Sequence, residues 1–475
     1  MSTITRVYRT HIPVSPEALM AWHASPGAFD RLTPPWRRVE VFDQQGTIEP
    51  GDRKTLRIPL AGPAGIDWML EHEALDGALG FADVQVAGPF RSWRHEHRFL
   101  PGVDGSMLED RITWELPRGA ALAAGRIERE LDRLFAFRHD RTYTDLVRLA
   151  NSGTGQSLRV AITGASGLVG QRLSAFLRAG GHEVFRLTRG QDDAEDAIHW
   201  NPAAGEIDAA KLEGMDEVVH LAGASIAGGL WNEKRKAAIR DSRIDGTRLL
   251  ATTLAKLHHP PSVFVSTSAV GYYGSRGDEM LDEDSVSGDG FLAEVVRDWE
   301  RAARPAASAG IRVVHPRLGV VLAGEGGMLP LIALPFRVGA GGPLGDGGQY
   351  FSWIAIEDLI GVLHESITNP VIEGPINAVA PHEVTNAEFT ETLASVLNRP
   401  SFMRVPAWAM KRAAGQLAEE VILASQRVAP ARLDAVGFQF AWPTLEHALR
   451  HELGRYDGSS IASRITSGAA RARAA

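Results

Sequence analysis

The sequence predicts an α/β chain: a doubly wound parallel sheet of the Rossmann kind, preceded by an α+β domain. Three observations carry this. A glycine-rich run, ITGASGLVG over 162–170, directly follows the apolar, β-leaning stretch 158–161. From residue 158 onward strand-like and helix-like segments alternate, which implies parallel strands with helices on both faces. Before that point, short strand-like pieces end in one long helical stretch.

Taken in order, strands are expected at 6–12, 37–42, 54–58, 66–74, 79–86, 92–100 and 107–115, several of them separated by Gly- or Pro-bearing turns. A helix follows over 125–150, with apolar positions Ile127, Leu131, Leu134, Phe135, Phe137 and Leu146. A long terminal helix against an antiparallel sheet is an α+β arrangement. The polar run NSGTGQS at 151–157 reads as a boundary. Beyond it, strands are expected at 159–163, 183–188, 217–221, 262–266 and 312–318, with helices at 168–179, 235–257 and 292–309. Two more helices, 386–397 and 407–423, and a piece ending near Leu453 form a small C-terminal α/β subdomain on the substrate side. The expected domains are therefore 1–150, 158–370 and 371–455, with a disordered Ser-, Gly-, Ala- and Arg-rich tail over 456–475.

The chain has 475 residues, 44% hydrophobic and 23% charged, as expected of several globular domains with ample core. Its net charge of −8 gives no electrostatic reason to expect nucleic acid or an anionic membrane as a partner. The absence of cysteine excludes disulfides, thiol catalysis and thiolate metal sites. Arg6, Arg9 and His11 break up the amino terminus, so no signal peptide is expected and the cytoplasm is the default location.

A strand running into Gly164-x-x-Gly167-x-x-Gly170 and then a helix is the layout that holds a dinucleotide pyrophosphate. Gly164 allows the tight turn, Gly167 lets backbone N–H groups approach phosphate, and Gly170 lets helix and strand pack closely. The helix N-terminus adds unpaired donors and partial positive charge. The second strand ends at Leu187-Thr188-Arg189. An NAD site carries Asp or Glu there, whereas a hydroxyl and a guanidinium suit the 2′-phosphate of NADP. A solvated loop arginine is the alternative reading of Arg189.

These segments, together with HLAGASI (220–226), LWNEKRKAAIRDSRIDGTRLL (230–250), FVSTSAVGYYG (264–274) and QYFSWIAIEDL (349–359), resemble the atypical extended short-chain dehydrogenase/reductase family, whose members are often called epimerase family proteins. The closing region, about 371–453, resembles that family's small C-terminal domain. The first 150 residues are similar to the START-like, helix-grip ligand-binding fold. The resemblance implies that Gly164, Ser166, Gly167, Leu168, Val169 and Gly170 line the pyrophosphate, and that Thr188 and Arg189 meet the 2′-phosphate. It places Leu221, Ala222 and Gly223 beneath the adenine-ribose side and Arg243 within reach of the cofactor. Trp231 either shapes the pocket rim or packs.

One departure from the family matters. Its active members use a Ser or Thr after the fifth strand, then a Tyr-x-x-x-Lys pair that handles the proton. Ser268 occupies the first position, but Phe291 and Val295 stand where the pair should be, and neither transfers a proton. Tyr272 or Tyr273, with a positive neighbour, is the alternative acid. The Glu283–Asp284 pair and Glu294 are further acids, though such charges are usually solvated. In related enzymes Arg337 and the Gly-rich segment 339–345 border the substrate cleft, ahead of Gln349, Ser352 and Trp353. Ala355 replaces a His common in the family.

No His, Asp or Glu grouping shows metal-ligand spacing, so no metal is expected. In the first domain Trp22, Trp36, Trp68, Trp93 and Trp114 either fill the core or line a cavity for an apolar ligand. Arg94, His95, His97 and Arg98 lie close together and offer groups to orient a polar ligand atom. Two functions fit this reading. One is an NADP-dependent oxidoreductase or epimerase acting on a small carbonyl or hydroxyl compound. The other is a non-catalytic sensor or scaffold that couples NADP to a ligand of the first domain.

Overall fold

The computed structural model describes residues 3–456 except 38, 44–47, 60–64, 154–155 and 191. The tail expected from 456 onward lies, apart from Tyr456, outside the described residues, as does part of the connector. The chain forms two compact units, one centred on Met1–Gly153 and the other on Thr154–Leu177 with His182–Glu452.

In the first unit the elements are β1 (Ile4–Ile12), α1 (Pro16–Ala24), α2 (Ala28–Leu32), β2 (Glu40–Asp43), β3 (Arg53–Pro59), β4 (Gly65–Ala74), β5 (Gly80–Ala87), β6 (Ser92–Gly102), β7 (Gly105–Glu115) and α3 (Ala124–Asn151). The strands make one antiparallel sheet in the order β1-β7-β6-β5-β4-β3-β2. The seven expected strands and the long helix are all present. Helices α1 and α2 were not anticipated; Ser15 caps the first by accepting from the Ala18 N–H, and Pro16 sits where a missing N–H costs nothing. Period-two alternation puts Trp93, His95, His97 and Phe99 on the buried face of β6, leaving Arg94 and Arg98 on the other face, paired with Glu96. Alternate members of the group Arg94, His95, His97 and Arg98 share a face, as a period of two implies, with the histidines inward and the arginines outward. Trp22, Trp93 and Trp114 are buried and fill the core.

The second unit runs β8 (Arg159–Thr163), α4 (Leu168–Ala179), β9 (Glu183–Thr188), β10 (Ala197–Asn201), β11 (Glu217–His220), α5 (Glu233–Leu254), β12 (Val263–Ser266), α6 (Phe291–Ala302), β13 (Arg312–Leu318) and β14 (Gly374–Ala378), with shorter pieces between. These strands form a parallel sheet in the order β10-β9-β8-β11-β12-β13-β14. The order reverses direction after β8, and right-handed crossovers then place α4 and α5 on opposite faces. Strands β10 and β14 are absent from the sequence reading. The second lies beyond the boundary expected at 370, so the sheet extends past it.

The single helix expected over 292–309 is two: α6, then Arg304–Ser308. Pro305 disfavours helical geometry at Arg304 and restarts the helix from its own first turn. Likewise 407–423 divides into Ala407–Ala414 and a wide turn over Ala418–Ile422, parted by Gly415 at φ +54°. That turn brings Glu420 to the start of α6. No helix among the described residues is long and apolar enough to cross a membrane.

Candidate functional site

The site is built where β8 and β11 diverge. The Thr163 hydroxyl, last in β8, accepts from the Leu221 and Ala222 N–H groups at 3.1 and 3.2 Å and lies 2.6 Å from His220 Nδ1. With both N–H groups pointing at its oxygen, its own proton goes to the imidazole, which burial keeps neutral by lowering its pKa to about 3. This ties the two strand ends together below the glycine turn. Gly164 takes φ +69°, and a Cβ there would crowd Ala222 N at 3.0 Å. A Cβ on Gly170 would lie 2.2 Å from the Gly164 carbonyl oxygen, so only hydrogen fits between helix and turn. Ser166 and Gly167 are exposed at the mouth, and Leu168 and Val169 are half-buried in the first turn of α4. This cradle and the N-terminus of the twelve-residue α4 fit a dinucleotide pyrophosphate.

Two guanidiniums flank it. Arg189 is exposed beyond β9, and Thr188 Oγ1 donates to the Gly190 carbonyl at 3.4 Å. Arg243 on α5 is half-buried: its Nη1 donates to the carbonyls of Ala224 and Ile239, and its guanidinium carbon sits 5.1 Å from the Trp299 ring centre. No carboxylate pairs with it among the described residues. Burial, with repulsion from Arg235, lowers its pKa to about 10. Gly223 lies against this guanidinium, where a Cβ would stand 3.4 Å from the guanidinium carbon. A half-buried cation without a counter-ion suits an anionic ligand.

Ser268, Tyr272 and Tyr273 fall into one network around Arg317 and Glu300. Ser268 is buried and donates to Glu300 Oε1 at 2.7 Å. Arg317 grips both oxygens of Glu300, at 2.8 and 3.0 Å, and donates through Nη1 to the Tyr273 hydroxyl at 2.9 Å. Tyr273 in turn donates to Asn377 Oδ1 at 2.7 Å and is fully buried, which pushes its pKa up to about 12. Burial opposes ionisation of Glu300, but the Arg317 fork prevails and holds its carboxyl below the ordinary value. Ser268 and Tyr273 are thus committed to the interior. Tyr272 is only half-buried, and Arg317 lies 3.6 Å over its ring. Glu300, Arg317 and Asn377 carried no recognisable motif in the sequence.

Phe291 and Val295 are buried with Ile239 and Leu292 in one apolar cluster, and Trp231 packs on Phe291 with ring centres 5.3 Å apart. Trp231 also donates to the Ile226 carbonyl at 3.0 Å, so it packs. Glu420 caps α6 by accepting from the Phe291 and Leu292 N–H groups at 3.1 and 2.8 Å. Glu283 is buried and accepts from the Asn377 N–H, while Glu294 is exposed. Arg276 pairs with Glu279 at 2.6 Å, outside this network. Ser352, Gln349 and Trp353 are structural: Ser352 donates to Gln426 O at 2.6 Å, Gln349 to Leu344 O at 3.1 Å, and Trp353 is buried. Arg337 is exposed at the end of a short helix, and Ala355 is buried.

Spacing along the chain shows no metal-ligand motif, but in the first unit Asp83, His95 and His97 each bring a donor atom within 4.8 Å of the others. Asp83 comes from a neighbouring strand, so spacing along the chain hides it.

Residues 160–377 match the NAD dependent epimerase/dehydratase family, and residues 405–452 a domain of unknown function, DUF1731. An epimerase family protein of Mycobacterium bovis is 43% identical over 296 residues, covering 62% of this chain and 98% of that protein. The human epimerase family protein SDR39U1 is 38% identical over 297 residues, 62% of this chain and 99% of its own. Among solved structures, a nucleoside-diphosphate sugar epimerase from Corynebacterium glutamicum is similar across 99% of this chain and 98% of its own, with 37% identity and a TM-score of 0.77. The structure of human SDR39U1 isoform 2 with NADPH covers 62% of this chain and 99% of its own, with 36% identity and a TM-score of 0.58. With the glycine turn, the parallel strand order and relatives matched over nearly their whole length, the chain belongs to the NAD dependent epimerase/dehydratase family.

Proposed function

We propose that the chain binds NADP(H) in the crevice between β8 and β11 and acts as an oxidoreductase on a small carbonyl or hydroxyl compound. The observation that carries this reading is the meeting, at one end of the sheet, of the Gly164–Gly170 cradle and the half-buried Arg243, which no carboxylate pairs among the described residues. Gly164, Ser166, Gly167, Leu168, Val169 and Gly170 would hold the pyrophosphate, and Thr188 and Arg189 the adenosine 2′-phosphate. Leu221, Ala222 and Gly223 would floor the adenine-ribose side, with Arg243 as a second cation. The NADPH in the human relative supports the phosphorylated cofactor. Bound there, a nicotinamide supplies two-electron redox chemistry. Tyr272 is the residue left to exchange the accompanying proton, with the Arg317 guanidinium 3.6 Å over its ring. The description of the Corynebacterium relative supports extending the same chemistry to epimerisation, which also needs a proton-shuttling group.

A second reading is a sensor that binds NADP without turnover. The apolar packing of Phe291 and Val295, where a proton-transfer pair would stand, favours it. On either reading the first unit serves as a START-like, helix-grip domain for an apolar ligand, supported by its seven-stranded antiparallel sheet and the 28-residue α3.

Calorimetry on the intact chain tests the cofactor. NADPH binds more tightly than NADH, and Arg189→Asp weakens NADPH by about tenfold to a hundredfold while sparing NADH. Indifference to both nucleotides, or a wide preference for NADH, overturns the reading. Turnover of NADPH over a panel of carbonyl compounds then separates enzyme from sensor.

A further inference from the structure

Two carboxylates and four imidazoles interleave on the inner face of the first unit's sheet. His72 on β4, Asp83 on β5 and His95 on β6 are successive register partners, and His97 on β6 stands opposite Asp110 on β7. His139 reaches Asp110 from α3. All but Asp83 are buried, and Asp83 is nearly so. We propose that Asp83, His95 and His97 form a binding site for a divalent transition-metal ion, facing α3.

The spacing of the donor atoms is the first support. Asp83 Oδ2 lies 3.6 Å from His95 Nδ1 and 3.4 Å from His97 Nε2. Ligands each ~2.0–2.1 Å from a tetrahedrally bound ion stand about 3.4 Å from one another. The three residues' donor atoms all lie within 4.8 Å of one another.

The carboxylate behind the rings is the second. Asp110 Oδ1 lies 2.9 Å from His95 Nε2 and 2.8 Å from His97 Nδ1, and its Oδ2 lies 2.8 Å from His139 Nε2. Asp110 thus lies against one ring nitrogen of each of three histidines. His139 is oriented from behind by Thr10, 2.8 Å from its Nδ1. The other nitrogens of two of these rings, His95 Nδ1 and His97 Nε2, converge on Asp83 Oδ2. His72 Nδ1, 2.8 Å away, holds the other oxygen of Asp83. A single cation between the three would take both nitrogens and the carboxylate oxygen as ligands. Carboxylates that fix the far nitrogen of a ligating imidazole are the usual outer support of such sites.

The surroundings and the donors fit a metal. Phe81 stacks on His97 at 4.4 Å between ring centres and Phe135 meets His95 edge-on at 5.1 Å, so the site is walled by hydrocarbon. Two imidazoles and one carboxylate, without thiolate, suit zinc or iron(II), with a further coordination position open to a small ligand.

The test uses the full chain, purified without a histidine tag and stripped with a chelator. Zinc competed against a chromophoric chelator binds at one equivalent per chain, cobalt(II) gives visible bands of low coordination number, and zinc raises the melting temperature. Asp83→Asn combined with His97→Gln lowers affinity at least a hundredfold, whereas His199→Gln, on an exposed edge of the second unit, leaves it unchanged. Folded wild-type protein that takes up less than about a tenth of an equivalent, with no change in melting, shows a network closed by protons alone and overturns the proposal. Uptake that persists undiminished in the double variant places the ion elsewhere and overturns it too. Should the double variant not fold, the cobalt spectrum and melting shift of the wild type decide alone.

Discussion

Arg317 meets three groups at once: both oxygens of Glu300, the Tyr273 hydroxyl and the face of Tyr272. Only the last contact leaves its partner facing outward. The two adjacent tyrosines should therefore respond differently to loss of their hydroxyls. Tyr272→Phe is expected to cut any NADPH-linked turnover by about 10²–10⁴-fold with the melting temperature unchanged. Tyr273→Phe removes an acceptor for Arg317 and a donor for Asn377, both buried, and costs about 1–3 kcal/mol of stability. Chemical denaturation and a steady-state assay on both variants separate the two. Equal losses of activity, or a destabilised Tyr272→Phe, would remove Tyr272 from the chemistry. The sequence placed Ser268 at the family's Ser/Thr position and left Tyr272 and Tyr273 as alternative acids. What distinguishes them is Glu300, Arg317 and Asn377, which arrive from three other elements and bear no local signature.

Among the elements, the turn from β8 into α4 leaves the least latitude. Gly170→Ala puts a carbon against the Gly164 carbonyl, so helix and turn must part. Loss of NADPH binding in calorimetry is expected, with a melting temperature lowered by several degrees for a cost of about 1–3 kcal/mol; retained affinity would mean that the turn is not the anchor. The start of α6 depends on a residue from far along the chain. Glu420→Ala leaves the Phe291 and Leu292 N–H groups uncapped and should cost about 0.5–2 kcal/mol, read as a shift in urea midpoint. Elements with a strong period or a cap were legible: α4 and the helix Asn386–Leu397 begin and end where the pattern placed them, the latter with a Thr385–Glu388 capping box. Strand β10, five residues with an exposed His199 at its centre, and β14, holding Gly374 and Pro375, lack the apolar runs of their neighbours. Their place in the sheet comes from pairing.

The stability of the whole chain carries two opposed proton linkages in the parallel sheet. Burial pushes Glu217 up to about 8 and His220 down to about 3. The unfolded chain loses the Glu217 proton first, so this group erodes stability as pH rises from 4.5 towards about 8. The unfolded chain gains the His220 proton first, so that group erodes stability as pH falls from 6.5 towards about 3. Each slope is ~1.4 kcal/mol per pH unit, and between the two ordinary values they cancel. Relative to the wild type, Glu217→Gln should gain stability progressively on the alkaline side and His220→Asn on the acid side, measured by urea midpoints across pH. A Glu217→Gln difference that stays flat from pH 5 to 8 would show that the carboxyl is not held protonated. The nucleotide half of the candidate site was legible because its parts lie in one strand–turn–helix unit. The metal-ligand grouping was not, because its aspartate and two histidines meet only across a register.

The apolar cluster around Phe291 has a consequence for anyone hoping to restore the family's usual acid. Val295 is 1% exposed, and Phe291 is wedged between Trp231 and the stem of α5. A Lys at 295 would strand an ammonium group in hydrocarbon, while a Tyr at 291 would sit beside Lys236 and Arg240, which already lie 5.8 and 5.6 Å from the Phe291 ring. Such a variant would misfold or stay inert unless the neighbouring side chains were hollowed out first, so what keeps a Tyr–Lys pair out of these positions is a volume as well as two side-chain identities.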